Sequence, residues 1–326
     1  MTADNKRGFM KFQSILLIII AIGLTLNASA QLKAAHFPAE SSYLVHINVA
    51  QLAKSKTGAL LKASMDEKTN RKIDALGAMS DIDLMQDIDS IYFAGLGAQP
   101  DSGTLYATGR FDVNKLTTIL GGNEGFSSEQ YGKYKILNWS HEDTAYHGCF
   151  VNPGLVVVSS DAGSTKKSLD LFDGKGAALQ AESDLANVIA AKPNRFLALI
   201  ASDMSGLPSE NQPPQLQMFK QARGLSLFVD QSSADKADVL LSAVVTAADM
   251  ESAQQLGMML QGFQAMMMMQ AQQNPEVAAL AQNFKIAPQD KQVKMSLLVN
   301  EAQLKKQIEK AALKRDDPDA APPAIQ

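Results

Sequence analysis

The chain writes one order of strands and helices twice, and this repetition limits its fold more than any other feature. In the first half, Tyr43, Val45, Ile47 and Val49 share one face, the period of a β-strand. The spacing predicts a helix over AQLAKSKTGALLKAS and another from Ser64, where Ser64 and Glu67 form a capping box. IDSIYFAGLG and TLYATGR read as strands around the turn Gln99-Pro100-Asp101-Ser102-Gly103. Asp112 caps the helix VNKLTTIL, which stops at Gly121-Gly122. The strands KYKILNW, AYHGCFV and GLVVVSSD follow, and then the helix AGSTKKSLDLF, ending at Asp173-Gly174.

The second half replays this order. FLALI, GLSLFVD and VLLSAVV are its first strands, with a short helix QLQMFKQA after Pro213-Pro214. Thr246 is read as the cap of a long helix from Ala247 to Gln272, stopped by Pro275. FKIAP and VKMSLLV come next, and Asn300 caps EAQLKKQIEKAAL with Gln303 at the third helical position. Asp161 aligns with Asn300, and Lys166-Lys167 with Lys305-Lys306. Offsets between matched elements drift from about 134 to 155 residues, as insertions would cause. The reading is an internal duplication of about 140 residues. Its alternative is two α+β halves that share an order by coincidence.

Strands joined by short turns run antiparallel. The predicted class is therefore α+β, as two tandem related units, each a mainly antiparallel sheet with helices packed on one face. The division is 1–30 as a signal peptide, 31–173 as the first unit and 174–192 as a connecting segment. Residues 193–314 make the second unit, and the Pro-rich tail 315–326 is expected to be disordered.

Lys6, Arg7 and Lys11 precede an apolar run from Phe12 to Leu26, and Ala28-Ser29-Ala30 gives small residues at the leader-peptidase positions. The strictly apolar stretch, Ile15 to Leu24, has ten residues, whereas a spanning helix needs roughly 20. Cleavage between Ala30 and Gln31 is expected, and a retained membrane anchor is the alternative. The cleaved chain carries 27 cations against 33 anions. That balance argues against a nucleic-acid partner. No later segment is apolar enough to predict a span, so no membrane association is expected after signal removal. The expected location is the periplasm or medium of a bacterium.

The opening FPAESSYLVHINVAQL resembles the start of a group of uncharacterised secreted bacterial proteins. These begin with a Pro-Ala-acidic step, one apolar strand and a small helix. The resemblance spans about 30 residues. It implies export and an α+β repeat, and it carries over no catalytic residue and no substrate.

Chemical motifs are sparse. Zinc peptidases place a second His four residues after the first. Here His141-Glu142 is followed by His147, six residues on, across a hairpin in which His147 faces Asn138. The alternatives are a zinc site from His141, Glu142 and His147, or an ordinary solvated turn. His46 reads as exposed or hydrogen-bonded. Asp81, Asp83, Asp87 and Asp89 lack the Gly and Glu of a calcium loop, since Gln86 and Tyr92 stand there. A capped turn over an apolar strip is the other reading. No nucleophile elbow and no phosphate loop occurs. Cys149, the single Cys, reads as a buried thiol. Asn138-Trp139-Ser140 matches a glycosylation sequon but lies in a predicted strand.

Methionine usage is unusual. Met258, Met259 and Met266 to Met269 fall in one stretch, MMLQGFQAMMMMQAQQ, of a chain with 15 Met. Leu256, Met259, Leu260, Phe263 and Met267 follow the spacing of one helix face, predicted to turn inward. Four consecutive Met span too much of a helix for all to be buried. Met266, Met268 and Met269 are therefore candidates for a partner or ligand surface. Core packing, an adaptable surface for an apolar partner, and Cu(I) binding by thioethers are three readings. No cofactor is implied. The function expected is non-enzymatic binding or scaffolding, with an unknown protein or apolar ligand as partner. The rivals are an exported hydrolase whose site is assembled from distant residues and a membrane-tethered protein with its N-terminal helix uncleaved.

Overall fold

The computed structural model describes residues 32–65, 77, 83–95, 103–123, 125–141, 144–189, 192–202, 222–271 and 275–315. The signal segment, Glu67 of the expected Ser64–Glu67 capping box, the short helix QLQMFKQA up to Gln221 and the tail after Arg315 lie outside these residues, while Ser64 itself closes the helix Lys56–Ala63. The chain divides into two compact units, residues 1–50 with 68–191 and residues 51–67 with 192–326. Two boundaries differ from the sequence reading. Residues 51–67 group with the second unit, and the segment 174–191 belongs to the first. The latter is held by buried Leu179, Leu185 and Val188 and by the Leu179 N–H, which donates to the Phe37 carbonyl at 2.8 Å.

Among the described residues, seven strands build the first unit: β1 (Tyr43–Asn48), β2 (Ile88–Gly95), β3 (Gly103–Gly109), β4 (Ser127–Tyr131), β5 (Tyr134–His141), β6 (Thr144–Asn152) and β7 (Leu155–Ser159). They lie in the order β1-β2-β3-β7-β6-β5-β4, and every pairing between them is antiparallel. β4 escaped the sequence reading. Its letters, SSEQY, are polar because it is an edge strand, and Gly132 takes a positive φ of 57° in the two-residue turn that follows it. The predicted helix over residues 50–64 is two pieces, Val49–Lys54 and Lys56–Ala63. Ser55 breaks them, its hydroxyl accepting from the Gly58 N–H at 2.9 Å.

Helices α1 (Val113–Leu120) and α2 (Ala162–Phe172) cover opposite faces of this sheet, not one face as the sequence reading had it. Leu116 of α1 joins Phe93, Leu105, Ala107, Trp139 and Val158. Leu169 of α2 joins Tyr134, Ile136 and Cys149. Alternation along the strands puts these two sets on opposite sides. The cause is visible in the runs IYFA, LYA and VVV, which are apolar at every position and so need cover on both faces. The Tyr106 hydroxyl meets Ser168 Oγ at 2.9 Å on the α2 side. Asp112 and Asp161 cap the two helices, accepting from Lys115 and Ser164 N–H groups at 3.0 and 2.7 Å.

At the end of α2, Asp173 accepts from Tyr134 at 2.9 Å and pairs with Lys133 at 2.7 Å. The Lys133 hydrogen bond, then that of Tyr134, pulls its carboxyl down to about 2. A depressed carboxyl contributes stability that is complete above the unfolded value of about 3.9. That stability is lost as pH falls through the folded value. The melting temperature should therefore drop between about pH 4 and pH 2. Asp173→Asn should shallow that drop.

The second unit has β8 (Arg195–Ala201), β9 (Gly224–Gln231), β10 (Val239–Thr246), β11 (Phe284–Gln289) and β12 (Gln292–Val299). Their order is β8-β9-β10-β12-β11, again with antiparallel pairings. This matches β1-β2-β3-β7-β6 strand for strand. Among its described residues are the helix Lys56–Ala63 and helices α3 (Met250–Gln270), α4 (Pro275–Asn283) and α5 (Glu301–Arg315). As predicted, Asn300 and Gln303 cap α5 reciprocally, each N–H to the other's side-chain oxygen at 3.0 Å. Asp161 and Asn300 thus start the helices that follow β7 and β12. Pro275, read as a stop, instead begins α4, where proline's missing N–H costs nothing. Arg195 is buried and gives Asp230 a two-pronged ion pair at 2.7 and 3.0 Å, its guanidinium 3.9 Å above the Phe228 ring.

A methionine-rich helix as candidate functional site

Helix α3 starts three residues later than predicted. Thr246 is the last residue of β10, and Asp249 is the cap, accepting from the Ser252 N–H at 2.7 Å. That hydrogen bond, with Lys291 and Arg223 nearby, holds the Asp249 carboxyl below its ordinary range.

The inward stripe of α3 is Ala253, Leu256, Gly257 and Leu260, all buried. They pack with Val245, Val293 and Ala222, and with half-buried Leu225, Ile286 and Met295. Gly257 lets the helix lie against β11, for a Cβ there would stand 2.5 Å from Pro288 Cγ. Gln264 extends the stripe by donating to the Phe284 carbonyl at 2.6 Å and the Ala281 carbonyl at 3.3 Å. Changing Gly257 to Ala in a helix interior ordinarily gains about 1 kcal/mol. Here it should instead cost about 1–3 kcal/mol through overpacking, read as a lower denaturation midpoint.

This stripe corrects the sequence reading of the inward face. Leu256 and Leu260 face inward as predicted, but Met259 and Phe263 do not, being 43% and 39% exposed. The 3-4 spacing admitted both sets. The close approach at Gly257 chose the one without sulfur. Met250, Met258, Met266, Met268 and Met269 are exposed as well, and Met267 is half-buried. From Ser252 to Gln270 the helix has no charged residue, a signal the sequence reading passed over. An exposed helical face ordinarily carries Lys and Glu. This one carries thioethers, a phenyl ring and Gln amides. Beside Met259, a cavity of about 280 Å³ opens between α3 and the end of β10, lined by Ala222, Val245, Ala247, Ser252 and Leu256.

The remaining candidates have structural partners. His46 is buried, 3.0 Å from Ser90 Oγ, and stacked on Tyr92 with ring centroids 4.2 Å apart. His147 pairs across from Asn138, with Nδ1 2.7 Å from its side-chain oxygen, while His141 stands opposite Thr144. The sequon asparagine is therefore a sheet residue. Asp83 caps the turn Leu84–Asp87, and Asp87 accepts from Arg110 at 2.7 Å. Asp81 and Glu142 lie outside the described residues. Cys149 is buried, and burial pushes its thiol up to about 12. Among the described residues, no group of three or more His, Cys, Asp or Glu could hold a metal ion. Among them also, no helix is long and apolar enough to cross a membrane.

No protein-family model matches the chain, and no curated protein matches it. Its fold is similar to that of a solved structure, crystal form III of TP0453, with a TM-score of 0.52 at 11% identity. The likeness covers 86% of this chain and 99% of that one. Crystal form I of TP0453 gives a TM-score of 0.48 at 10% identity, over 87% and 98%. This likeness is one of fold.

Proposed function

We propose that the chain is an exported binding or scaffolding protein that holds an apolar partner, protein or small molecule, on the outer face of α3. One observation carries this reading: a helix without charge from Ser252 to Gln270, whose largest side chains face solvent while its inner stripe is built from Ala, Gly and Leu. Leaving such a face in water forgoes roughly 25 cal/mol for each Å² of apolar surface. Methionine is suited to an adaptable contact, being unbranched, polarizable and rich in rotamers. Met258, Met266 and Met269 are the centre of the surface, with Met259 and Phe263 beside them, whereas Met268 lies on the flank nearer Gly257.

The two units descend from one duplicated module in this reading, supported by the shared strand order and the matched caps Asp161 and Asn300. The N-terminal pattern supports export to the periplasm or medium. Sequencing of the mature protein should begin at Gln31, and full-length chain in the membrane pellet would contradict cleavage.

Changing Met258, Met266, Met268 and Met269 together to Gln tests the surface. The unfolding midpoint should stay within about 0.5 kcal/mol per site, as for surface changes. Species retained by the wild-type protein from the native exported fraction should be lost. Retention of the same species by the variant would overturn the assignment.

A further inference from the structure

We propose that the outer face of α3 is a methionine oxidation site, at which peroxide-class oxidants convert Met258, Met266 and Met269 to sulfoxides and so switch off the apolar contact. The switching half rests on the reading of this face as an interaction surface. The modification half stands on exposure alone. Met258, Met266 and Met269 are 63%, 56% and 73% exposed, whereas Met85, Met267 and Met295 are half-buried. Oxidation requires the sulfur lone pair to reach the oxidant, so these three, with Met250 at 53% exposure at the start of the helix, should react ahead of the half-buried ones.

In the step itself, the thioether sulfur attacks one oxygen of hydrogen peroxide. The S–O bond forms as the O–O bond breaks. Sulfur loses two electrons to the peroxide, whose other oxygen departs as water after a proton transfer. The product is a polar, chiral sulfoxide on a formerly apolar chain.

In most proteins this lesion damages the core, because Met is usually packed inside. Here the placement is inverted. The residues that anchor α3 are Ala253, Leu256, Gly257 and Leu260, and none carries sulfur. Oxidation of the outer face therefore changes what the helix presents without removing what holds it. A row of sulfoxides on a face without charge from Ser252 to Gln270 replaces an apolar contact surface with strong hydrogen-bond acceptors, which a dry partner cannot satisfy. A dithiol reductant, acting through methionine sulfoxide reductases, returns each sulfur to the thioether, releasing water and a disulfide.

The test treats the whole mature protein with limiting hydrogen peroxide and maps sulfoxides by peptide mass. Binding of the apolar dye 1-anilinonaphthalene-8-sulfonate is followed in parallel. Met258, Met266 and Met269 should oxidise at least about fivefold faster than Met295. Dye enhancement should be largely lost, the unfolding midpoint kept, and both reductases together should restore the dye signal. The variant with Met258, Met266 and Met269 changed to Leu should keep its dye signal through the same treatment. Equal rates at Met295, or a midpoint that falls in step with oxidation, would overturn the proposal. So would a Leu variant that loses dye as fast as the wild type. Selective oxidation of a protein that binds no dye before treatment would sustain the modification site while overturning the interaction reading on which the switch depends.

Discussion

Replacing Asp230 by Ala should cost about 3–5 kcal/mol of folding stability, the usual consequence of stranding one charge of a buried pair. Asp230 answers two guanidinium nitrogens of Arg195, at 2.7 and 3.0 Å, across the β8–β9 pairing. The Arg195 side chain is only 8% exposed. It cannot turn to water without leaving the Phe228 ring, so removal of the carboxylate leaves a cation with no countercharge on that strand. The double change Arg195→Met with Asp230→Leu should recover most of the loss. Buried ion pairs are often replaced by apolar residues at little net cost. Denaturant midpoints of the two variants check this. A mild effect of Asp230→Ala would mean that the pair is solvated and contributes little.

Changing Leu256 to Ala should cost about 2–5 kcal/mol, as for a buried leucine whose cavity collapses incompletely. Met259 to Ala, three residues on, should cost no more than about 0.5 kcal/mol, as for an exposed position. The contrast matters more than either value. The two residues lie about 60° apart around the helix, a separation that the 3.6-residue repeat sets. They divide the face that holds the helix from the face that meets solvent. If Met259→Ala proves as costly as Leu256→Ala, the outer face is part of the core, and the binding surface proposed here is lost.

Most of the fold was legible because its strands announce themselves by β-branched runs and its helices by their caps. Asp112, Asp161 and Asn300 each stand where the sequence put them, since a side-chain acceptor before a run of helix formers has one common use. Three features were hidden for physical reasons. β4 is an edge strand without apolar letters. The opposite placement of α1 and α2 depends on strands that are apolar on both sides, where alternation carries no direction. The orientation of α3 was ambiguous because its apolar residues circle the helix, so periodicity could not choose a face. Packing at Gly257 against Pro288 did, and one chain does not display such a contact in its letters. The candidate surface was half legible. Met266, Met268 and Met269 were identified by crowding alone, while Met258, Met259 and Phe263 joined them only once the helix was placed. The absence of charge from Ser252 to Gln270 was available from the outset and would have pointed outward sooner.

The most direct measurement is site-specific photo-crosslinking in cells that make the protein. A photoreactive side chain at position 262, on the outer face of α3 where a Cβ meets open space, is compared with one at Lys135, an exposed position of β5 in the first unit. The account predicts a discrete adduct at 262 and none at 135, and loss of the 262 adduct when Met258, Met266 and Met269 are changed to Gln. No adduct at 262, or equal adducts at both positions, would contradict it.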